Sequence, residues 1–223
     1  FLNVGMNDEI TENLSKRDNF AWTSWDCYRR LLQTWGMSFG LERNDFDQII
    51  LNYKKKYNVN QKIEFTPAMM REIAFAYKQL LIDNNIEFES DPFLQIRQAI
   101  IAVFNSWFTD RAQVYRDHMQ IANEWGTAVI VQKMIFGNIH RESGSGVLFT
   151  HDPQEKESRI SLTGDFSFLS QGEDIVAGIR TPNPIAKLEE QLPEVYESYT
   201  KIVNKLEKHY KDKDSKMIYF LPI

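Results

Sequence analysis

The spacing of apolar residues changes near residue 123, and this change constrains the 223-residue chain more than any single motif does. Before it, apolar positions recur three and four residues apart, as on the buried face of a helix. After it come short β-branched runs and a period-two alternation, followed by one long amphipathic stretch. The pattern predicts an α+β fold: a mainly helical lobe over 1–122, then over 123–223 a mainly antiparallel sheet with a long C-terminal helix.

The helical part carries its own punctuation. Trp25, Tyr28, Leu31, Leu32 and Trp35 mark one helix, with Gly36 as its expected stop. Phe46, Ile49, Ile50 and Tyr53 mark a second, and Lys54-Lys55-Lys56 stand at its end, where cations suit the helix dipole. Thr66-Pro67 opens a third helix as N-cap and first residue, with the stripe Met70, Ile73, Ala74, Tyr77, Leu80 and Leu81, and Asn84-Asn85 ends it. Asp91-Pro92 repeats the signal for a fourth helix carrying Phe93, Ile96, Ile100, Phe104 and Trp107. A fifth follows Thr109-Asp110, with Tyr115, His118, Met119 and Ala122. The residues before Asp8 are too few to form a unit. Arg29 and Arg30 read either as a phosphate grip or as a solvated helix flank. His118 has no second His or Cys one turn away to make a metal pair.

The stretch from Gly126 to Pro184 is where chemistry would sit. Thr127 to Phe136 is rich in Thr, Val and Ile and predicts a strand buried on both faces. Gly137-Asn138 breaks it, Arg141 to Gly146 reads as a turn or flexible loop, and Val147 to Thr150 resumes as strand. Next, Ile160, Leu162, Phe166 and Phe168 alternate with Ser161, Thr163, Asp165 and Ser167. Alternation puts the second set on one polar face. A carboxylate flanked by hydroxyls suits Mg²⁺ or a phosphate-bound metal, and equally a solvent-facing sheet surface. Gln171 to Asp174 reads as a polar turn and Ile175 to Ile179 as a short apolar run. The last helix spans about Pro193 to Tyr210, and Met217 to Ile223 reads as a terminal strand with Pro222 at its end.

Composition closes off other classes. A net charge of −5 lacks the basic face of a nucleic-acid binder. No apolar run approaches the ~20 residues that cross a bilayer. Cys27, the single cysteine, forms no internal disulfide and no thiolate metal site, which suits a reducing, cytoplasmic setting. The absence of a starting Met suggests a piece of a longer protein. Neither a Walker loop nor a Rossmann glycine fingerprint occurs.

The strings QKMIFGN, SGSGVLFTHDP, SQGEDIVAGIRTPNPI and LPEVYE occur in the order found in the ATP-binding region of pyruvate, phosphate dikinases, which this chain resembles. DPFLQIRQAIIAVFNSW and DRAQVYRDH resemble the helical stretch just before it. The resemblance implies an ATP-grasp-like domain whose lobes clamp ATP and Mg²⁺. It implies transfer of the β-phosphoryl to a histidine on a swivelling domain, and from there to pyruvate in a barrel domain. Gln132, Lys133, Met134 and Ile135 match the hinge strand on which adenine rests through backbone contacts. Asp165 matches a position usually held by Glu and is implied as a metal or ribose-side carboxylate. The resemblance leaves open a homodimer of the complete enzyme.

The departures set further expectations. The family's phosphate-holding Lys and Arg lie upstream of Phe1. Its later acidic ligand has no secure match in Asp212 or Asp214, and Pro222 stands where a Gln is usual. Alone, the chain is expected to lack dikinase activity. A water-using phosphoenolpyruvate synthase and a non-catalytic nucleotide-sensing or interaction paralogue are the competing readings, the second favoured by Asp165 and the altered C-terminal strand.

Overall fold

The helices of the first half form where local capping and a shared apolar face agree. The computed structural model describes residues 1–150, 162–176, 181–210 and 216–221. It divides into two units, Phe1–Met134 and Ile135–Ile223.

The first unit contains α1 (Asp8–Ser15), α2 (Ala21–Ser38), α3 (Arg43–Tyr57), α4 (Pro67–Asp83), α5 (Pro92–Ser106) and α6 (Asp110–Met119). The expected caps hold. The Thr66 side chain accepts from Met69 N–H, Asp91 from Phe93 and Leu94, and Thr109 from Ala112. Each satisfies backbone donors that a helix start leaves open. The core lies between α2 and α4. Trp25, Tyr28, Leu31, Leu32 and Trp35 meet Met70, Ile73, Ala74, Tyr77 and Leu81, all buried. Phe46 of α3 closes it, its ring centroid 4.8 Å from that of Tyr77. Cys27 is fully buried in the same core.

Two expectations change here, and one helix appears that the apolar spacing did not mark. Gly36 lies inside α2 and does not stop it. A Cβ at Gly36 would stand 2.7 Å from Phe46 Cζ and 3.0 Å from Leu41 Cδ1, so the glycine admits α3 against α2. The short entry before Asp8 forms no element of its own, as expected, and leads into α1. That helix is capped by Asn7 and fastened by Asp8, which accepts from Tyr28 Oη at 2.6 Å and pairs with Lys78. The α6 stripe faces outward, and the α5 stripe is only half covered, with Ile96, Ile100 and Trp107 half-buried. Phe93, Phe104, Tyr115 and Met119 are exposed, while Gln95, Ala99 and Arg116 are buried. Ala122 and His118 are exposed as well.

The second unit holds β1 (Gly144–Phe149), β2 (Thr163–Phe168), α7 (Gly172–Val176), β3 (Asn183–Pro184), α8 (Ala186–Gln191), α9 (Pro193–Tyr210) and β4 (Lys216–Leu221). The fold class is therefore α+β. The sheet runs in the order β3-β2-β1-β4, every pair antiparallel. Gly146 opposes Phe166 and Leu148 opposes Gly164, so these four share one face. On that face Leu148 and Phe166 bury against Ile185, Leu188 and Tyr199 of the α8–α9 segment.

Thr127–Ile135 is not the strand that its β-branched residues predict: it is mostly exposed and paired with no strand among the described residues. Branching favours extended backbone, but a strand also needs a neighbour to complete its ladder. The Arg141–Gly146 turn is shorter than expected, because Gly144, Ser145 and Gly146 belong to β1. A Cβ at Gly144 would lie 2.7 Å from Ser167 O, so these glycines allow close strand approach rather than forming a loose hinge. Gln171–Asp174 is a tighter feature than a polar turn: Gly172 starts α7, and Gln171 N–H donates to Asp174 Oδ2 at 3.2 Å. Ile160, Ser161, residues 177–180, Asp212, Asp214 and Pro222 lie outside the described residues.

Candidate functional site

The four hinge candidates are consecutive in sequence and lie in no helix or strand, Gln132, Lys133 and Met134 ending the first unit and Ile135 beginning the second. Gln132, Lys133 and Ile135 are exposed, and Met134 is half-buried. Neither helix nor sheet consumes their main-chain groups. Within the described residues, Gln132 to Ile135 make no backbone hydrogen bond. Such a stretch offers alternating N–H donors and C=O acceptors to an incoming planar heterocycle.

Asp165 belongs to the second unit, on β2. It stands opposite Val147 of β1 and Pro184 of β3, and its side chain is exposed. Register places Asp165, Thr163 and Ser167 on one face with Val147, Ser145 and Phe149. The polar face expected from alternation is thus present, but it is wet at one end only. At the other end Ser145 and Ser167 are buried, along with Ser170, Gln171 and Asp174. Ser145 Oγ donates to Ser170 O and Ser170 Oγ to Ser167 O, each at 2.7 Å. Leu169, with φ at 49°, turns the chain so that its N–H donates to Ser143 O at 2.7 Å. This closure leaves Asp165 as the accessible carboxylate of that face.

The donor set bears on Mg²⁺. Among the described residues no group of three or more His, Cys, Asp and Glu side chains could hold a metal. Mg²⁺ in nucleotide sites commonly takes one or two carboxylates and otherwise phosphate oxygens and water, so one exposed carboxylate fits a shared ion rather than a protein cage. ATP is compatible with the open main chain at Gln132–Ile135. Among the described residues His118 joins no metal cluster.

The arginine pair in the first unit takes neither role considered for it. Arg29 and Arg30 are buried, and both bind Asp26. Arg29 Nη2 lies 2.7 Å from Asp26 Oδ1 and Arg30 Nε 2.8 Å from Oδ2. Arg29 Nη1 also donates to Gln33 at 3.0 Å. Burial opposes ionisation of Asp26, but Arg30 and Arg29, helped by Lys62, hold its carboxyl far below the usual carboxylate range. The spacing of Asp26 with Arg29 and Arg30, three and four residues on, was the available signal for this network. The buried serine layer had a weaker one, since serine spacing does not reveal which backbone carbonyl a hydroxyl will find.

The family model for the pyruvate phosphate dikinase AMP/ATP-binding domain matches residues 1–220. Pyruvate, phosphate dikinase of Clostridium symbiosum is 38% identical over 214 residues, 95% of this chain and 24% of that protein. The chloroplastic pyruvate, phosphate dikinase 1 of Zea mays is 38% identical over 215 residues, 95% of this chain and 22% of its own. The Rhizobium meliloti pyruvate, phosphate dikinase is 36% identical over 225 residues, 95% and 25% respectively. The chain spans about a quarter of the length of these curated relatives.

Proposed function

The chain belongs to the pyruvate phosphate dikinase AMP/ATP-binding domain family, and from that premise we propose that it forms part of the nucleotide-binding domain of a pyruvate, phosphate dikinase. The complete enzyme would interconvert ATP, pyruvate and phosphate with AMP, phosphoenolpyruvate and pyrophosphate, using a phosphohistidine and a pyruvate site on other domains of a longer polypeptide. A two-lobed ATP-grasp-like clamp, with lobes at 1–122 and 123–223, and a reducing compartment such as the cytoplasm belong to the same proposal. So does a homodimer of the complete enzyme.

The observation that carries the reading is the open main chain of Gln132–Ile135. Adenine presents a donor and acceptors along one edge, and an extended backbone can meet them whatever side chains it bears. Asp165 would contribute one oxygen to Mg²⁺ or lie beside the ribose, and the ion would neutralise phosphate charge. The chain's own contribution is to bind and orient; the proposal assigns it no proton transfer and no nucleophile.

Titration of ATP with Mg²⁺ into this chain and its variants tests the reading. Asp165→Ala is expected to weaken Mg²⁺-dependent binding about tenfold, the scale of one lost charge-assisted contact. Lys133→Ala should change affinity less than threefold, because the hinge binds through its main chain. Equal binding by the Asp165→Ala variant removes that residue from the site, and no binding by any form removes the hinge. Assayed with ATP, pyruvate and phosphate, the isolated chain should form no phosphoenolpyruvate.

A further inference from the structure

The first fifteen residues are fastened to the helical core mainly by polar contacts at their margins. Of these fifteen only Asn3, Met6 and Thr11 are buried, and only Met6 is apolar. Ile10 and Leu14 of α1 are half-buried, and Phe1 stays 36% exposed although its ring meets Trp35 edge-on at 6.0 Å. Asp8 accepts from Tyr28 of α2 at 2.6 Å and pairs with Lys78 of α4. Glu12 lies 3.4 Å from Arg71 of α4, and both of those side chains are about half exposed. Towards α5, Gly5 N–H donates to Gln95 Oε1 at 2.9 Å and Gln95 Nε2 to Met6 O at 2.8 Å. Asn7 Nδ2 donates to Ser90 O at 2.8 Å.

Beneath these latches the segment buries polar groups that nothing satisfies. Among the described residues, neither Nδ2 nor Oδ1 of Asn3 has a hydrogen-bond partner, and neither does Thr11 Oγ1. Docking strips water from all three atoms and returns no bond, and one buried apolar side chain, Met6, offsets that cost only in part. The cost falls on the docked state alone, because water reaches the same atoms once the segment lifts. We propose that residues 1–15 are a releasable strap, which undocks from α2, α4 and α5 as one unit while those helices stay folded. At eight residues α1 is too short to persist without its packing, so release melts it. Local opening of this kind needs far less free energy than unfolding of the aromatic core between α2 and α4. Release uncovers Tyr28 Oη, Lys78 and Arg71 together, so the strap governs access to that side of α2 and α4.

Native-state amide exchange of the protein, read helix by helix with mass spectrometry, tests this. The amides of Thr11 to Ser15 are expected to exchange about a hundredfold faster than those of α2 and α4, at a rate that dilute urea changes little. Asp8→Asn weakens the latch shared by Tyr28 and Lys78, and should speed α1 exchange about tenfold while α2 and α4 keep their rates. Thr11→Val has the opposite sign. It preserves the shape of the side chain and replaces the unbonded hydroxyl with a methyl, so α1 exchange should slow about threefold or more. A helix held by a well-satisfied interface would instead loosen on losing that hydroxyl. Equal exchange in α1, α2 and α4 overturns the proposal, as does acceleration of all three by Asp8→Asn. So does α1 exchange that Thr11→Val leaves unchanged or speeds.

Discussion

The two units bury polar groups in opposite ways. The helical unit buries charges: Asp26, Arg29 and Arg30 stand on one helix and satisfy one another. The sheet unit buries hydroxyls: Ser145 and Ser170 donate to main-chain carbonyls of the segment that crosses the sheet end. The difference follows from where backbone bonds are already spent. Inside α2 a hydroxyl can still share a helix carbonyl, as Ser24 Oγ does with Ala21 O at 3.3 Å, but a buried carboxylate needs donors that the helix interior does not spare, and Arg29 and Arg30 supply them. Beyond the ends of β2, carbonyls remain open, and a neutral hydroxyl suffices at far lower desolvation cost. The helical unit therefore holds a charged network that responds to pH, and the serine layer of the sheet unit a neutral one of smaller separate increments.

The largest expected effect breaks the charged network. Asp26→Asn leaves two buried guanidinium groups without their counter-charge and should cost about 3–5 kcal/mol. Urea unfolding followed by tryptophan fluorescence reads this, because Trp25 and Trp35 lie in that core. The acid behaviour has a definite sign. The folded Asp26 carboxyl titrates far below its unfolded value, which is about 3.9. Its stabilisation is complete above that value and is lost as pH falls below about 4 towards the folded pKa. Asp8 acts in the same direction: burial opposes its ionisation, but bonds from Lys78 and Tyr28 lower its pKa. Asp26→Asn should thus flatten the fall in stability below pH 4 without abolishing it. A loss under ~1 kcal/mol would mean that the network matters no more than the serines do.

A second test sharpens the contrast from the sheet side. Gly164 has φ of 148°, and a Cβ there would overlap the carbonyl of Val147 on the paired strand. Gly164→Ala should cost about 2–3 kcal/mol, from the strained conformation together with the clash. Near-ultraviolet circular dichroism should weaken as well, since the edge-on Phe166–Phe168 pair flanks this strand position. Unlike the Asp26 effect, the loss should be the same at pH 4 and pH 7. A pH-dependent loss would place a titrating group beneath the sheet and blur the distinction.

What could be read from the residues followed the range of the interaction responsible. Thr66-Pro67, Asp91-Pro92 and Thr109-Asp110 marked helix starts because a cap bonds within three residues. The long last helix was equally local. Periodicity gave the arc of the α6 stripe but not its direction, since outward and inward stripes have the same spacing. Thr127–Ile135 had strand composition, yet pairing depends on a distant neighbour. Gly36 and the β1 glycines looked like punctuation because composition does not separate a turn from a close approach. The candidate site was legible unevenly. Alternation found the Asp165 face, whereas Gln132–Ile135 came from the family resemblance alone, because a contact made by backbone leaves no side-chain pattern.

The smallest effect tests whether the serine layer is built of separate pieces. Ser145→Ala removes the hydroxyl that donates to Ser170 O at 2.7 Å and leaves a buried acceptor short of that bond. The expected cost is about 1–2 kcal/mol, the usual range for one unsatisfied neutral group. Ser170→Ala removes the bond to Ser167 O and should cost a similar amount. If the layer is additive, the double variant loses the sum to within about 0.5 kcal/mol. Because Ser170 donates through its side chain but accepts through its main chain, neither substitution deletes both bonds, and additivity is the physical expectation. A coupling above ~1 kcal/mol would show that the hydroxyls polarise one another as a chain. The sheet unit would then resemble the charged network of the helical unit more closely than its neutral groups suggest.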